Sequence, residues 1–371
     1  MGQGADLVIL DNRRSSSVCC RSSSLKSCTT ANVNPSILGQ ALLNLPGGVK
    51  VSFSNNVAGN KNAYFYNSSN AEVVITYSPS TGGMYAYAAM SNGATFTLEN
   101  CGEKGHIWGE VDLESFDEID DVPSVPYKRH LANEDEKIEL LRKLGREDTK
   151  TVATFSIKFY YTPEFIANTP DIHNFIEQVL SITNQGYVNS GVPLVATAHC
   201  IEAATINDNT PKLWYSFMSM KTTSSALRGG ADAAALLVNN YGNQDGLCGK
   251  AKIENAIEDG VTVSITRRDC AIRAFTFAHE IGHNIGLRHE NDPTWGPYPY
   301  GHGHFFSPHH RTIMATSYNH RVTRVNYYSS PTLIFPDTGT PTGVEGISNN
   351  VRVLMENRFA LADVGDESTP C

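Results

Sequence analysis

The chain lacks any run near the roughly 18 consecutive apolar residues that a membrane-spanning helix needs, so no span of that kind is expected. It is also short of basic residues. With 29 Lys and Arg against 38 Asp and Glu, the formal net charge is −9, and no basic stripe offers itself to nucleic acid. No C-x-x-C pair occurs, which argues against a structural zinc site of the cysteine type. The visible start has no secretory signal: Met1 to Asn12 holds only the apolar run Leu7 to Leu10, with no basic residue before it. Gly2 follows Met1, but position 6 is Asp, so the myristoylation pattern fails. Two readings follow: an intracellular protein, or a chain without its true start.

The cysteines favour the second. Cys19, Cys20, Cys28 and Cys101 precede residue 150, and Cys200, Cys248, Cys270 and Cys371 follow it. The later four are even in number and widely spaced, as disulfides of an exported enzyme would be. Cys248 and Cys270 bracket one segment and are the expected pair, which leaves Cys200 with Cys371. Spacing alone keeps three connectivities open.

Length allows about two domains, and 40% hydrophobic with 18% charged residues is ordinary globular composition. Residues 1–47 are Ser-rich without periodicity and read as a poorly defined leader. Residues 48–113 alternate short β patterns with Gly, Asn and Ser clusters and no helical period, so a small all-β domain is expected. Residues 114–150 read as an acidic linker with one short helix. Seven of the twelve residues from Glu110 to Asp121 are acidic, and Asn133 to Gly145 carries the cap and spacing of the helix. Residues 151–371 alternate strand and helix patterns. Strands are expected at Val152–Tyr161, Pro193–Ile201 and Ala233–Asn239, with an edge inside Gly249–Ile265. A helix is expected from near Ala271, and a last one from about Asn349 to Ala362.

The helix begun near Ala271 carries the chemistry. Its sequence His279-Glu280-Ile281-Gly282-His283-Asn284-Ile285-Gly286-Leu287-Arg288-His289 reads H-E-x-x-H-x-x-G-x-x-H. Residues four apart share a helix face, so His279 and His283 can converge on one ion. Gly286 suits the left-handed residue that ends a helix, and the turn would return His289 as a third ligand. Three neutral imidazoles with one open position hold a catalytic Zn2+, and Glu280 is placed as the base for its water. A chance match to five fixed positions has a probability on the order of 10⁻⁵ for the whole chain. His302, His304, His309 and His310 crowd the following loop without ligand spacing or carboxylate partners, and read as surface or loop-packing residues.

The extended motif resembles the metzincin clan of zinc metalloproteases. Arg311-Thr312-Ile313-Met314-Ala315 is similar to the clan's methionine turn, which makes Met314 the residue beneath the metal. Within the clan the chain looks like the reprolysin (adamalysin)-like group, which includes bacterial peptidyl-Asp metalloendopeptidases. Phe277 to Asn284, Pro299-Tyr300-Gly301-His302-Gly303 and Asn350-Val351-Arg352-Val353-Leu354 carry that likeness. Arg228-Gly229-Gly230-Ala231-Asp232 and Cys248-Gly249-Lys250-Ala251 extend it more loosely. Together these span about residues 151 to 363. A weaker likeness centred on Tyr85 to Asp112 is to the β-rich propeptides of the same group. Two departures stand out. Glu290 follows the third histidine where reprolysins usually carry Asp, and Thr316 stands where astacins place a tyrosine ligand.

The resemblance implies an α/β (α+β) metzincin catalytic domain over 151–371. It would have a mixed, mostly parallel twisted sheet and a zinc-binding active-site helix, preceded by a small all-β prodomain. It implies a secreted zinc endopeptidase acting on protein or peptide substrates, made as a zymogen. Substrate would lie along an edge strand within Gly249–Ile265. A thiolate of Cys101 could cap the zinc in the latent form. Lys128-Arg129 and Arg142 to Arg146 are candidate maturation sites, and Arg321 and Arg324 are basic groups in the loop beyond Met314. Two other functions use the same residues: a silent zinc-binding or inhibitory module, or a zinc hydrolase of a non-peptide acyl substrate.

Overall fold

The computed structural model describes residues 5–14, 20, 25–58, 60–112, 132–241, 247–253, 256–292, 298–316 and 322–366. Cys19, most of the acidic stretch, Lys128-Arg129, Arg321 and Cys371 fall outside them. The chain divides into two compact units: residues 1–116 with 166–185, and residues 117–165 with 186–371.

The first unit holds a ten-stranded sheet. Its strands are β1 (Ala5–Asp6), β2 (Val8–Arg14), β3 (Leu25–Val33), β4 (Leu42–Leu45), β5 (Val49–Asn56), β6 (Ala63–Ser68), β7 (Ala71–Tyr77), β8 (Met84–Met90), β9 (Thr95–Asn100) and β10 (His106–Val111). Their order is β1-β4-β5-β6-β7-β8-β9-β10-β3-β2. All neighbours from β4 onward are antiparallel, through short connections from β4 to β10 and through a long-range pairing of β10 with β3. Inward residues at every second position, among them Val73, Ile75, Ala86, Ala88 and Leu98, close one core with Trp108, which stacks on Phe96 at 5.5 Å.

The Ser-rich leader is therefore not undefined where it is described. β3 pairs with β10 from Ala31↔His106 to Leu25↔Val111, and Cys20 is disulfide-bonded to Cys28. Only Ala31 of β3 is buried, so the strand has almost no period-two signal for a sequence reading to find.

Three helices follow along the chain: α1 (Ala132–Glu147), α2 (Pro163–Ala167) and α3 (Ile172–Asn189). The greater part of α3 belongs to the first unit. Asp171 caps it by accepting from the Asn174 N–H at 3.0 Å, and Thr81 donates to the same carboxylate. Farther along, Gln178 donates to the Val74 carbonyl, Asn184 donates to that of Ala58, and Phe175 meets Tyr85 edge to face at 5.9 Å.

The second unit is built on a mixed sheet of β11 (Ala153–Tyr161), β12 (Leu194–Ala203), β13 (Ala233–Val238), β14 (Gly249–Ala251) and β15 (Val263–Arg267), in the order β12-β11-β13-β15-β14. Every pairing is parallel except that of the edge strand β14 with β15. All six residues of the central β13 are buried, which explains its unbroken apolar run. The remaining helices are α4 (Leu213–Met218), α5 (Ser224–Arg228), α6 (Arg268–Arg273), α7 (Thr276–Ile285) and α8 (Asn350–Leu361). Short strands β16 (Phe305–Ser307), β17 (His310–Arg311) and β18 (Thr323–Arg324) form a small sheet, and β19 (Ile334–Phe335) pairs with β20 (Thr340–Pro341).

The motif helix is shorter than expected. It starts at Thr276, not near Ala271, because Phe275 adopts a left-handed φ of 55° and separates α6 from α7. The Arg324 guanidinium donates to the freed Ala274 carbonyl at 2.7 Å, so the break leaves that acceptor satisfied.

Candidate metal centre

Every residue of α7 is buried, so its polar side chains must find partners inside the unit. Asn284 anchors the helix beside the edge of the sheet, donating to the Lys252 carbonyl at 2.8 Å and that of Val263 at 3.1 Å. Phe277 stacks on Phe159 at 5.5 Å. The helix ends at Gly286, whose φ of 104° is open to glycine and costly for other residues. Its N–H closes on the Gly282 and His283 carbonyls, and the chain turns back toward Arg288 and His289.

This turn brings three imidazoles together. The Nε2 of His283 lies 3.0 Å from those of His279 and His289, and the last two are 3.1 Å apart. Nδ1 of His279 lies 2.8 Å from the Ile313 carbonyl, and Nδ1 of His283 lies 2.8 Å from the Leu287 carbonyl. A carbonyl oxygen only accepts, so each Nδ1 carries the proton and each Nε2 turns a lone pair to the common centre. Lone pairs facing one another at this distance repel unless a cation lies among them. Tetrahedral Zn–N bonds of about 2.0–2.1 Å would set the nitrogens about 3.3 Å apart, close to what is found. The donor set therefore fits a zinc ion. Among the described residues this is the one cluster of three or more His, Cys, Asp or Glu groups able to hold a metal.

His289 is held from two sides. Its backbone N–H donates to Asp292 at 3.0 Å, and His302 donates from Nδ1 to its carbonyl at 2.7 Å. Burial pushes the Asp292 carboxyl up, but the hydrogen bonds it accepts from His289 outweigh that and hold it below the usual carboxylate range. His302 is only 2% exposed and supports the third histidine, so of the two expectations it is loop-packing and not surface. The 34-residue interval between His279 and Ile313 hides the carbonyl that fixes the first ligand's tautomer, and no side-chain pattern could have revealed it.

Glu280 is 1% exposed and sits next to the first histidine on α7. The edge strand makes room for it: a Cβ added to Gly249 would stand 2.7 Å from the Glu280 carboxyl carbon. Met314 is fully buried, and a Cβ on Gly282 of α7 would meet its sulfur at 2.5 Å. Glu290 reaches the same turn by accepting from the Thr316 N–H at 2.8 Å, so it is no solvated charge. Arg324, read as a basic group of the loop, is buried instead and donates to the Ala274 and Ala315 carbonyls. Burial pushes the imidazoles of His304 and His310 down, toward the neutral form.

The disulfides complete the picture. Cys248 and Cys270 are joined, tying the start of β14 to α6. Cys101 and Cys200 are disulfide-bonded as well. A latent-form zinc cap needs a free thiolate, and the bonded sulfur of Cys101 has none to offer.

Comparison with known proteins fits this site. Residues 174–290 match the family described as metallo-peptidase family M12B, reprolysin-like. A peptidyl-Asp metalloendopeptidase of Stenotrophomonas maltophilia (strain R551-3) is 29% identical over 210 residues, 52% of this chain and 48% of that protein. One of Xanthomonas campestris pv. campestris is 28% identical over 203 residues, 52% of this chain and 47% of that one. One of Pseudomonas fragi is 29% identical over 183 residues, 48% of this chain and 97% of that one. The chain thus spans about half the length of the first two. A solved structure titled "Structure of a chaperone-substrate complex" aligns with a TM-score of 0.47 at 19% identity, covering 87% of this chain and 41% of that one. His279, His283 and His289, the three converging histidines, all lie within the stretch that matches the reprolysin-like M12B family.

Proposed function

We propose that the protein is an exported zinc endopeptidase, made as a zymogen whose β-rich N-terminal segment is its propeptide. The observation that carries the reading is the triangle of Nε2 lone pairs, 3.0–3.1 Å on a side, beside the buried Glu280. His279, His283 and His289 would hold the ion, which supplies an acidified water and a polarised scissile carbonyl. Glu280 accepts the proton of the attacking water and returns it to the leaving amine, first a base and then an acid. The Ile313 and Leu287 carbonyls keep His279 and His283 in the tautomer that presents Nε2. Among the described residues strand β14 pairs only with β15, and its other edge offers an extended peptide backbone the pairing it needs. Disulfides at Cys20–Cys28 and Cys248–Cys270 support an oxidising compartment.

The test is casein hydrolysis by the purified protein, freed of its N-terminal segment, with and without a chelator. Hydrolysis lost on chelation and restored by zinc supports the reading. A protein that binds zinc and never cleaves casein would point to the silent module or to a non-peptide acyl substrate.

A further inference from the structure

Helix α1 lies between the acidic stretch and β11, where a linker was expected, yet it is built into the second unit. Its partly buried stripe is Ile138, Leu141, Arg142 and Gly145, spaced as one helix face, while Leu144 is exposed. Gly145 does not end the helix as the sequence suggested. It stays inside the helix, where the close backbone of α8 leaves no room for a side chain: a Cβ there would stand 2.7 Å from the Glu356 carbonyl oxygen. The Arg358 side chain, fully buried, donates to the Gly145 carbonyl at 2.8 Å and also to that of Asp148, so α8 caps the end of α1.

Arg142 links this helix to the metal centre. Its guanidinium pairs with Glu258, and its Nε donates to Oδ1 of Asn357 at 2.8 Å. Tyr298 donates to the same Oδ1 at 2.9 Å. The amide of Asn357 then donates to the Ile285 carbonyl at 2.8 Å, at the last residue of α7. Arg142, Glu258, Ile285, Gly286 and Tyr298 line one pocket there. Four residues beyond Ile285 stands His289. The exit of the metal helix is thus fixed by a side chain from a segment about 140 residues upstream.

We propose that α1 is a permanent strut of the peptidase unit and that Arg142 is a positioning residue for the turn that delivers His289. Any processing that frees the enzyme therefore falls before Arg142, which removes Arg142 to Arg146 as a maturation site. This rests on the endopeptidase reading for its meaning, but its first test, hydrogen exchange, needs neither metal nor activity.

Hydrogen exchange on the full chain compares wild type with Arg142→Ala. One charge-assisted hydrogen bond corresponds to about tenfold in a local opening equilibrium, so residues 281–289 should exchange about tenfold faster, with β11 and β13 unchanged. Unchanged exchange at 281–289, or equal acceleration of β11 and β13, overturns the proposal. Should Arg142→Ala not fold, Arg142→Lys decides: it keeps a cation for Glu258 but lacks the Nε donor, and about threefold acceleration confined to 281–289 is expected. N-terminal sequencing of active enzyme is the second readout. A terminus before Arg142 supports the strut, and one at or beyond it overturns it. If wild type fails to cleave casein while the exchange result holds, the function fails and the strut stands.

Discussion

At the scale of single residues, the centre divides into groups a helix places by itself and groups it cannot. His279, Glu280 and His283 were legible because the four-residue repeat of a helix alone sets their spacing, and Gly286 then marks where the chain must turn. The Ile313 carbonyl, the Asn357 bridge and the donor from His302 were not, because backbone acceptors and distant side chains leave no spacing to read. Glu280→Gln keeps the shape of the side chain and removes the carboxylate proposed as the base. Its kcat on casein should fall by about 10²–10⁴-fold, while bound zinc stays at about one per chain by atomic absorption. Normal turnover by this variant would sink the mechanism. Gly249→Ala attacks the same carboxylate from the strand side. Its new Cβ must displace Glu280, so kcat should drop with zinc retained. A variant with unchanged kcat would mean that the carboxylate moves freely without loss.

Between elements, packing decides what periodicity leaves open. The sequence pattern runs straight through from Ala271 to Ile285, yet the structure breaks it at Phe275 and satisfies the exposed Ala274 carbonyl with Arg324. That donor stands 50 positions away, where no local window reaches it. The turn at Met314 was legible as a motif, but its dependence on Gly282 is a matter of contact. Gly282→Ala forces a methyl against the Met314 sulfur inside a buried helix, where overpacking costs about 1–3 kcal/mol. Thermal unfolding should show the loss as a lower Tm, and a Tm equal to wild type would mean the turn can back away. Glu290→Gln keeps one oxygen to accept from Thr316 and should be milder than Glu290→Ala, which leaves that N–H unpaired. Equal Tm values for the two would show that the hydrogen bond to the turn contributes nothing.

For the molecule as a whole, the first unit does not end where the β-rich sequence does. Residues 166–185 share it, although they lie inside the segment that resembles a protease. Four polar side chains of this stretch bond to residues 1–112 at 3.2 Å or less: Asp171 with Thr81, Glu177 with Asn60, Gln178 with the Val74 carbonyl, and Asn184 with the Ala58 carbonyl; Ser181 accepts a longer bond from Asn60 at 3.4 Å. Phe175 adds an aromatic contact to Tyr85. At about 1 kcal/mol net for each bond, their loss removes about 4 kcal/mol from a domain whose whole stability is on the order of 5–15 kcal/mol. Asp171, Gln178 and Asn184 are buried, so water replaces their partners only where the surface they vacate opens. Residues 132–371 expressed without the N-terminal segment should therefore melt lower than the same residues mixed with a separately made 1–112 fragment, in thermal unfolding followed by circular dichroism. The Asn60→Ala fragment should restore less of the Tm than the unaltered one, because Glu177 then keeps no partner in it. An identical Tm with and without the fragment would show that the β-rich segment gives this stretch nothing it needs. The segment would then be a passenger of the fold.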